Sequence, residues 1–328
     1  MTRKDSVEKI IGASKSPKKP SGRAFAPSNI ALCKYWGKRN VELNLPVNSS
    51  LSVSLGRLGT ETFISQADQD QVWLNDELVT SDAPFAQRLF RFLDLFRPAD
   101  DYKFTIRTKN NIPTAAGLAS SASGYAALVL ALNDFWGWDL ELRELSILAR
   151  LGSGSASRSL FHGFVEWHRG EAVDGLDSYA EQIDVQWPDL RIAVLSVSQE
   201  KKAVGSTEGM NRTVETSALY KSWPQQAERD IKEIRQAIAD QDFSKLGAVA
   251  ESNALAMHAT MIAADPPLLY WLPETVELFR KVWTLRNDGL PVYFTIDAGP
   301  NVKVLFEEKH ETSVREYFPD AKIVIPFE

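Results

Sequence analysis

The stretch NNIPTAAGLASSASGYAALVLAL, residues 110–132, decides the fold because it joins a loop of small residues directly to an apolar segment. Small side chains from Thr114 to Ser123 let the backbone approach an anion closely, and the apolar run after Gly124 predicts a helix packed in a core. The first N–H groups of that helix would be unpaired, and its positive dipole end would face the loop. The stretch therefore predicts a phosphate site, with a tight turn that only lets the helix pack closely as the alternative.

The length and composition of the chain limit what it can be. Its 328 residues exceed what one hydrophobic core usually organises, and 44% of them are hydrophobic, so we expect two domains. The net charge of −6, with both signs scattered along the chain, argues against a nucleic-acid-binding face. No apolar run reaches the length of a membrane span, and the first twenty residues lack the apolar centre of a secretory signal.

The cysteine and histidine content adds to this. Cys33 is the only cysteine, which excludes an intramolecular disulfide and fits a reducing compartment. The four histidines do not have the spacing of a metal site. We therefore expect a cytoplasmic protein that has no zinc site and binds neither nucleic acid nor a membrane.

Hydrophobic periodicity divides the chain into three parts. It predicts a flexible tail over residues 1–20, an N-terminal nucleotide-binding domain over residues 21–187 and a C-terminal domain over residues 188–328. Strands are interspersed with helices, but there is no regular βαβ repeat. This order indicates an α+β architecture rather than a doubly wound parallel sheet.

In the first domain, residues 23–38 predict a strand, a turn and a second strand. Alternating apolar residues over 51–55 predict a half-buried strand, and TETFIS and QVWLND are expected to follow it as the two strands of a hairpin. The other elements predicted in this domain are helices at residues 85–96 and 140–151 and a strand at residues 102–110.

The second domain has fewer, longer patterns. DLRIAVLSVS, residues 189–198, predicts a buried strand, and the chain end AKIVIPF predicts a final one. The patterns between them predict long helices over residues 217–238 and 243–263, and a strand and turn within residues 292–306.

Six segments in this order resemble the mevalonate diphosphate decarboxylases of the GHMP kinase superfamily. They run from about Ala26 to Val302: APSNIALCKYWGKRNVELNLPVNSSLSVSL, NNIPTAAGLASSASGYAALVLAL, GSGSASRSLFHGFVEW, EGMNRTVETS, SNALAMHAT and TIDAGPNV. The resemblance implies a two-domain GHMP-kinase-like fold, often in a homodimer, with ATP and substrate in an active-site cleft between the domains. It also implies ATP-dependent phosphorylation of a tertiary alcohol on a phosphorylated mevalonate, followed by loss of phosphate and carbon dioxide to give isopentenyl diphosphate.

Asp297 is the candidate for the group that takes or orients the proton of this alcohol. A tertiary hydroxyl has a very high pKa and is crowded, so phosphoryl transfer to it calls for a positioned carboxylate. In TIDAGPN an apolar strand ends in a turn of small residues, which would place the Asp297 carboxylate at a cleft. On the residues alone, an aspartate that caps the turn near Gly299 is equally acceptable. The resemblance implies the catalytic role.

The segment GSGSASRS, residues 152–159, is the candidate for binding the substrate carboxylate. The planar guanidinium of Arg158 can bind a carboxylate through two hydrogen bonds, and the resemblance places Arg158 in the catalytic set. Ser153, Gly154 and Ser155 offer donors in a compact turn for the carboxylate or the diphosphate. A surface-paired arginine and serines that only cap a helix are the alternatives.

KYWGK, residues 34–38, is the candidate for the other half of the pocket. Its two lysines are four apart around a glycine, a spacing suited to a diphosphate, and Tyr35 adds a phenolic donor. The resemblance adds Lys34 to the catalytic set, where it would lower the pKa of the aspartate, and assigns the substrate phosphates to Tyr35 and Lys38. An amphipathic strand with exposed lysines is the alternative.

The resemblance assigns the ATP phosphates to the small-residue loop and to a second, basic loop. The residues concerned are Pro113, Ala115, Ala116, Gly117, Leu118, Ala119, Ser120, Ser121, Lys201 and Lys202. The second loop, KKAVGSTEGM, is expected to close over phosphates and to place Ser206 on the substrate. The family usually has two adjacent serines where this chain has Gly205 and Ser206, so one hydroxyl contact is missing. A solvated basic turn is the alternative for both lysines.

Phosphoryl transfer from ATP calls for a divalent cation, normally Mg²⁺. The sequence has no Walker lysine motif, so we expect phosphates, water and loop hydroxyls such as Ser120 or Ser121 to hold this cation, and no protein metal ligands can be assigned. His258 lies on an apolar helical stretch and is expected to be a core histidine rather than a base or a ligand.

Three other functions share some of these features. A kinase of the same superfamily that only phosphorylates a small alcohol would tend to lose part of the trio Lys34, Arg158 and Asp297. A decarboxylase of mevalonate 5-phosphate would keep the trio and differ in its phosphate contacts, and a non-catalytic homologue would be expected to lose the aspartate. The sequence therefore favours a decarboxylase of mevalonate 5-diphosphate.

Overall fold

The computed structural model describes residues 1–12, 16–112, 120–200 and 202–327, which form an α+β fold of two main sheets with packed helices. The strands are β1 Ser21–Cys33, β2 Lys38–Asn40, β3 Leu45–Pro46, β4 Ser50–Ala67, β5 Gln71–Leu74, β6 Glu77–Val79, β7 Lys103–Asn110, β8 Phe164–Trp167, β9 Ala180–Ile183, β10 Leu190–Leu195, β11 Tyr293–Ile296, β12 Val302–Glu307 and β13 Lys322–Val324. The helices are α1 Arg3–Ile11, α2 Pro84–Leu93, α3 Ser120–Trp136, α4 Leu142–Gly152, α5 Ser206–Thr216, α6 Trp223–Asp240, α7 Phe243–Ile262, α8 Pro273–Asn287 and α9 Glu311–Tyr317. The predicted α+β class is confirmed.

The first half is organised around the long strand β4. This strand pairs with β1 along most of its length, with β7 over its second half and with β8 over its first residues. The full order is β6-β5-β7-β4-β8-β9, and β5 and β7 are its parallel pair. The predicted helix after residues 110–120 is α3, which packs across β1 and β4 and so closes the core over this sheet.

Two of the strand predictions are wrong. TETFIS is not a hairpin strand but the second half of β4, and QVWL is β5, which pairs with β6 and β7. Residues 60–67 of β4 already pair with both β1 and β7, so no edge is left for β5. The predicted strand, turn and strand at residues 23–38 begin instead as one strand, β1, in which Pro27 lies at an irregularity of the pairing because it has no N–H to donate.

The strand predicted to be half-buried at residues 51–55 is buried on both faces. Its leucine and valine side chains enter the core, as the alternation predicts. The intervening serines, Ser52 and Ser54, are also fully buried, and Ser52 accepts a hydrogen bond from the Arg158 side chain. A polar side chain of this strand can therefore be buried because a buried group forms a hydrogen bond with it. The periodicity of the sequence does not reveal such a partner.

The segment expected to be a flexible tail contains α1. Thr2 caps this helix: its hydroxyl accepts from the Asp5 N–H at 3.1 Å, and the Asp5 carboxylate accepts from the Thr2 N–H at 2.7 Å. Val7 is fully buried in the core of the first half. The capping box and this apolar contact fix residues 3–11 as a packed helix, so the tail prediction is wrong for them.

The second half contains an antiparallel sheet of order β11-β12-β10-β13 with α7 and α8 packed on it. The predicted strand and turn at residues 292–306 form the hairpin of β11 and β12, and the predicted long helices are α6 and α7. The boundary predicted at residue 187 lies between β9 and β10, and it stays a prediction.

The two halves share one hydrophobic core cluster. Ile30 and Val53 of the first half pack in the same cluster as Ile231 and Leu246 of the second. Cys33, fully buried at the end of β1, donates from Sγ to the Ala227 carbonyl of α6 at 3.5 Å. Part of the face between the halves is thus packed as an apolar core.

Hydrogen bonds also join the halves beside the cavity. The Tyr220 hydroxyl and the Trp223 indole N–H both donate to the Trp36 carbonyl, at 3.0 and 2.9 Å. These bonds satisfy a backbone group that the turn after β1 leaves unpaired. They fix that turn, which carries two of the predicted site residues, to the second half.

Candidate active site

A cavity of about 320 Å³ lies where the two halves meet. The segment after β1, the 3-10 turn Gly154–Arg158 and the start of α3 line it from the first half, and the start of α5 and the loop after β11 line it from the second. The predicted site residues on its wall are Lys34, Tyr35, Lys38, Ser121, Ser153, Gly154, Ser155, Arg158, Ser206 and Asp297. Residues far apart in sequence therefore meet in one space, as the resemblance implies.

Asp297 follows β11 directly, so the end of a buried strand positions its carboxylate at the cavity. Its Oδ1 accepts from Lys34 Nζ at 2.8 Å, and its Oδ2 accepts from Lys303 Nζ at 3.2 Å. The aspartate side chain is 38% exposed, whereas each lysine side chain is 2% exposed. Two buried cations thus hold a carboxylate that still reaches the cavity.

These charges keep Asp297 ionised at neutral pH. Burial by itself would raise the pKa of the carboxyl, but the ammonium groups of Lys34 and Lys303 outweigh burial and hold this pKa well below its ordinary value. Burial lowers the pKa of Lys34, and the charge of Asp297 counteracts that effect. The anion suits Asp297 to orient a hydroxyl group and to stabilise positive charge.

Lys303 is a site residue that the sequence analysis missed. It lies on β12 between Val302 and Val304, two fully buried apolar residues, and it is itself 1% exposed. A buried ammonium group needs an anionic partner, and here the partner is Asp297. A lysine in an apolar strand next to the DAGPN turn is the signal that could have revealed it.

Lys34 is fixed by both halves of the molecule. Its N–H donates to Asn253 Oδ1 at 2.7 Å, and its ammonium group also donates to the Ala31 carbonyl at 2.7 Å. Asn253, on α7, in turn donates to Asp230 on α6 at 2.7 Å. This network leaves the Lys34 side chain little freedom, so its contact with Asp297 is pre-organised.

Arg158 ends the 3-10 turn and is buried among uncharged partners. Its Nε donates to Ser52 Oγ at 3.1 Å, one Nη donates to Ser50 Oγ, and the other lies 3.4 Å from Asn29 Oδ1. Burial lowers the pKa of Arg158 to about 10, and the charge of Asp297 counteracts that effect. In the part of the chain that the structure describes, no carboxylate forms an ion pair with Arg158, so its charge is available to an anionic ligand.

Tyr35 and Gly154 form one wall of the cavity. The Tyr35 ring packs edge-on against Trp167 with centroids 4.8 Å apart, and its hydroxyl is buried without a hydrogen-bond partner among the described residues. Such a hydroxyl fits a ligand oxygen. A Cβ on Gly154 would come within 2.9 Å of both the Trp167 and Tyr35 rings, so the glycine is required by the close approach of the turn.

Lys38 is the first residue of β2 and is half-buried at the cavity. Its ammonium group donates to Asn44 Oδ1 at 2.7 Å, and the Asn44 amide donates to the carbonyls of Arg150 and Leu151 at 2.9 and 3.1 Å. The lysine is therefore tied to the end of α4. Its predicted contact with the substrate phosphates stays a prediction.

The start of α3 lies between two cavities. Ser121 and Arg88 line both the main cavity and a neighbouring one of about 190 Å³, whose other lining residues are largely apolar. The positive dipole end of a 17-residue helix therefore lies where the two cavities adjoin. Several predicted contacts with the ATP phosphates lie outside the described residues: Pro113, Ala115, Ala116, Gly117, Leu118, Ala119 and Lys201. The side chain of Ser120 also lies outside them.

The basic loop after β10 brings Lys202 and Ser206 together. Lys202 Nζ donates to Ser206 Oγ at 3.4 Å, and Ser206 is the first residue of α5. Lys202 lies beside the turn that follows Asp297, since a Cβ on Gly299 would come within 3.4 Å of its Cε. Burial lowers the pKa of Lys202, and the charge of Asp297 counteracts that effect. Gly205 precedes α5 with φ −69°, a value that any residue adopts, so its glycine is not required by the backbone.

His258 on α7 is fully buried, as the sequence analysis expects. Its Nε2 lies 3.1 Å from the Asp297 carbonyl, and burial lowers the pKa of the ring to about 3. The imidazole is therefore neutral and supports the backbone of Asp297.

No helix among the described residues is both long enough and apolar enough to cross a bilayer. They also contain no group of three or more His, Cys, Asp or Glu side chains arranged to hold a metal ion.

The two-domain α+β fold, with a basic cavity between the halves, is of the GHMP kinase type. Comparison with known proteins defines it further. The Diphosphomevalonate decarboxylase-like N-terminal domain matches residues 26–180, and the Mevalonate 5-diphosphate decarboxylase C-terminal domain matches residues 192–323. The chain belongs to the diphosphomevalonate decarboxylase family.

Individual relatives agree with this assignment. The diphosphomevalonate decarboxylase of Candida albicans is 39% identical over 316 residues, which cover 90% of this chain and 86% of that protein. The mevalonate diphosphate decarboxylase of Staphylococcus aureus superposes with a TM-score of 0.88 at 40% identity, covering 93% of this chain and 95% of that one. A structure of MDDEF in complex with MVAPP, AMPPCP and magnesium superposes with a TM-score of 0.87 at 40% identity, covering 94% and 97%.

Proposed function

We propose that the protein catalyses the ATP-dependent decarboxylation of mevalonate 5-diphosphate to isopentenyl diphosphate, releasing ADP, phosphate and carbon dioxide. The observation that carries the proposal is the position of Asp297, which reaches the cavity between two buried lysines and within electrostatic reach of Arg158. The family assignment supplies the substrate, because the relatives are named for this decarboxylation.

In the first step, the tertiary hydroxyl of the substrate attacks the γ-phosphorus of ATP, and the bond from this phosphorus to the β–γ bridging oxygen of ADP breaks. Asp297 accepts a hydrogen bond from the hydroxyl and receives its proton as the new O–P bond forms. A carboxylate of low pKa suffices because phosphoryl transfer passes through a loose transition state, in which proton removal is late. Lys34 fixes the carboxylate in the required orientation.

In the second step, the C–O bond to the new phosphate breaks with its electron pair, and positive charge develops on the tertiary carbon. The C–C bond to the carboxylate then supplies the electrons of the new double bond, and carbon dioxide leaves. Before the C–O bond breaks, Asp297 passes its proton to an oxygen of the new phosphate group, and the restored carboxylate stabilises the positive carbon. Arg158, whose described partners are all neutral, holds the departing carboxylate in place.

The nucleotide fits the start of α3. The positive dipole end of this helix and the Ser121 hydroxyl would bind phosphate oxygens, and the apolar cavity next to them would take the base. Bound Mg²⁺ would neutralise charge on the triphosphate. Because the described residues offer no cluster of metal-binding side chains, the phosphates, water and the Ser121 hydroxyl would hold the cation.

The test is to incubate the pure protein with ATP and Mg²⁺ and with mevalonate, its 5-phosphate or its 5-diphosphate, and to follow ADP and carbon dioxide together. We expect equal amounts of both products with the diphosphate, and neither product without ATP. ADP without carbon dioxide would show a kinase, and faster turnover of the 5-phosphate would show a monophosphate decarboxylase. Either result would contradict the proposal.

We also propose that the protein is a cytoplasmic homodimer. A row of exposed apolar side chains along α8, Leu272, Val276 and Trp283, supports association, because such rows commonly mark interaction surfaces. Cys33, a buried free thiol, supports a reducing compartment. Light scattering after gel filtration and fractionation of the source cells test the two statements, and a monomer or a secreted protein would refute them.

A further inference from the structure

Helix α1 precedes in sequence residues 26–180, the part of the first half that matches the family's N-terminal domain. It is nevertheless a built element, because Thr2 caps it and Val7 is fully buried. Near its far end Lys9 pairs with Asp174 at 3.4 Å, an exposed contact that contributes little. The stronger contacts of α1 are at its N-terminal end.

The N-terminal end of α1 is hydrogen-bonded to the turn between β2 and β3. Arg3 Nε donates to the Glu42 carbonyl at 2.7 Å, and the Arg3 N–H donates to Glu42 Oε1 at 3.2 Å. Leu43, the next residue of the turn, is fully buried in the same core cluster as Val7. The backbone carbonyl and the side chain of Glu42 are thus both engaged from the α1 side.

This turn belongs to the Lys38 hairpin, by which we mean residues 38–46, formed by β2, the turn and β3. Lys38 opens the hairpin and faces the cavity, and Asn44 at its other end holds the lysine side chain and is itself tied to α4. The middle of the hairpin, at Glu42, is exposed. Arg3 contacts this exposed middle part at Glu42, while the buried Arg150 donates from Nε to the carbonyl of the next residue, Leu43, at 3.1 Å.

Arg3 also adds charge to this end of the cavity. Burial lowers the pKa of Lys38, and the charge of Arg3 lowers it further, so the two cations lie within electrostatic reach of one another. The same arginine acts on the pKa of Tyr125, another residue on the cavity wall, against the dominant effect of burial. Two cations kept this close suit a ligand with more than one negative charge, such as a diphosphate.

We propose that α1 is part of the substrate site: it fixes the Lys38 hairpin for the diphosphate group, with Arg3 as the positioning residue. This inference rests on the proposed function for its substrate. It goes beyond that function in one respect: Arg3, which lies outside the reacting centre, should affect binding of the diphosphate and should not affect the rate of the chemical step.

The test compares Arg3→Ala with Lys4→Ala in the full chain. Lys4 is an exposed neighbour on the same helix, so its replacement removes the same charge from α1. For Arg3→Ala we expect the KM for mevalonate 5-diphosphate to rise about fivefold, since roughly one hydrogen bond to a charged group is lost, while kcat and the KM for ATP stay within about twofold. Lys4→Ala should match the unchanged protein in all three constants.

Hydrogen exchange gives a second measurement that needs no turnover. In Arg3→Ala the backbone amides of residues 38–46 should exchange faster, while those of α3 keep their rate, and the melting temperature should change little. Unchanged KM and unchanged exchange in the hairpin would overturn the inference. An equal loss in Lys4→Ala, or a parallel rise in the KM for ATP, would also overturn it, because either would indicate a general effect. Failure of the proposed function is distinct, since it would appear as absent decarboxylation in the unchanged protein with the exchange result intact.

Discussion

Asp297 keeps its negative charge in a buried setting because Lys34 and Lys303 supply two opposite charges at hydrogen-bond distance. Asp297→Asn preserves the shape of this side chain and removes the charge. We expect the variant to bind ATP and substrate almost unchanged and to lose turnover by about 10³-fold or more. Binding titrations beside single-turnover kinetics measure the two effects separately, and near-normal turnover would remove the proposed role.

Replacing Lys303 removes one of the two positive charges that lower the pKa of Asp297. Lys303→Met fills the same space without a cation, so the pKa of Asp297 should rise towards its ordinary value. A carboxyl whose pKa is depressed stays charged until the pH falls through that pKa, so raising it moves the loss of kcat on the acid side to higher pH. At neutral pH the carboxyl stays ionised but loses one of the two groups that orient it, so we expect kcat there to fall on the order of tenfold.

The pH profile of kcat is the measurement for Lys303→Met, and Lys309→Met is its control. Lys309 lies just beyond β12, and its side chain is 66% exposed. The control should leave the profile unchanged. An acid limb at the same pH in Lys303→Met and in the unchanged protein would show that this lysine does not set the charge of Asp297.

Arg158 differs from the lysines in that its described partners are all neutral. Arg158→Lys keeps a positive charge but loses the fork that binds a carboxylate through two hydrogen bonds. We expect kcat to fall about 100-fold and the KM for ATP to change by less than about threefold. Steady-state kinetics in which the concentrations of both substrates are varied measure these constants. A large rise in the KM for ATP would mean that the arginine binds the nucleotide.

At the scale of elements, the 3-10 turn Gly154–Arg158 is held close to the rings of Tyr35 and Trp167. Gly154→Ala would place a methyl group about 2.9 Å from both rings. We expect this to move Tyr35, to raise the KM for mevalonate 5-diphosphate at least about fivefold and to cost about 1–3 kcal/mol of unfolding free energy. Urea denaturation and substrate kinetics measure the two effects.

Gly205→Ala is the matched control for this overpacking. The same methyl group at Gly205 would meet nothing within 4 Å, and the backbone there has an ordinary φ. Its unfolding free energy should stay within about 0.5 kcal/mol of the unchanged protein. Equal losses in the two variants would contradict the argument from close approach.

The elements also show where sequence patterns stop being informative. The small-residue loop leading into an apolar run located α3, and the alternation of Phe104 and Ile106 located β7, because each signal is local. The partner of β5 was not predictable, since it depends on which edges of β4 the remote strands β1 and β7 occupy. Lys303 was missed for a similar reason, because an isolated lysine is informative only once its partner is known.

At the scale of the whole molecule, the core cluster that joins the halves predicts cooperative unfolding. Ile234, fully buried on α6, lies in this cluster together with residues of β1 and β4. Ile234→Ala should cost about 2–5 kcal/mol of unfolding free energy. Tryptophan fluorescence and far-UV circular dichroism should give one coincident urea transition, at a lower urea midpoint in the variant. Two separated transitions would show that the halves unfold independently.

The position of Cys33 gives the molecule a built-in reporter of separation between its halves. Its sulfur is covered by α6, and burial raises the pKa of the thiol far above the range in which a thiolate forms. A thiol-specific dye can therefore label the folded chain only at moments when α6 lifts away from β1. The labelling rate counts those moments, and its decrease on adding nucleotide or substrate would measure how firmly each ligand draws the two halves together.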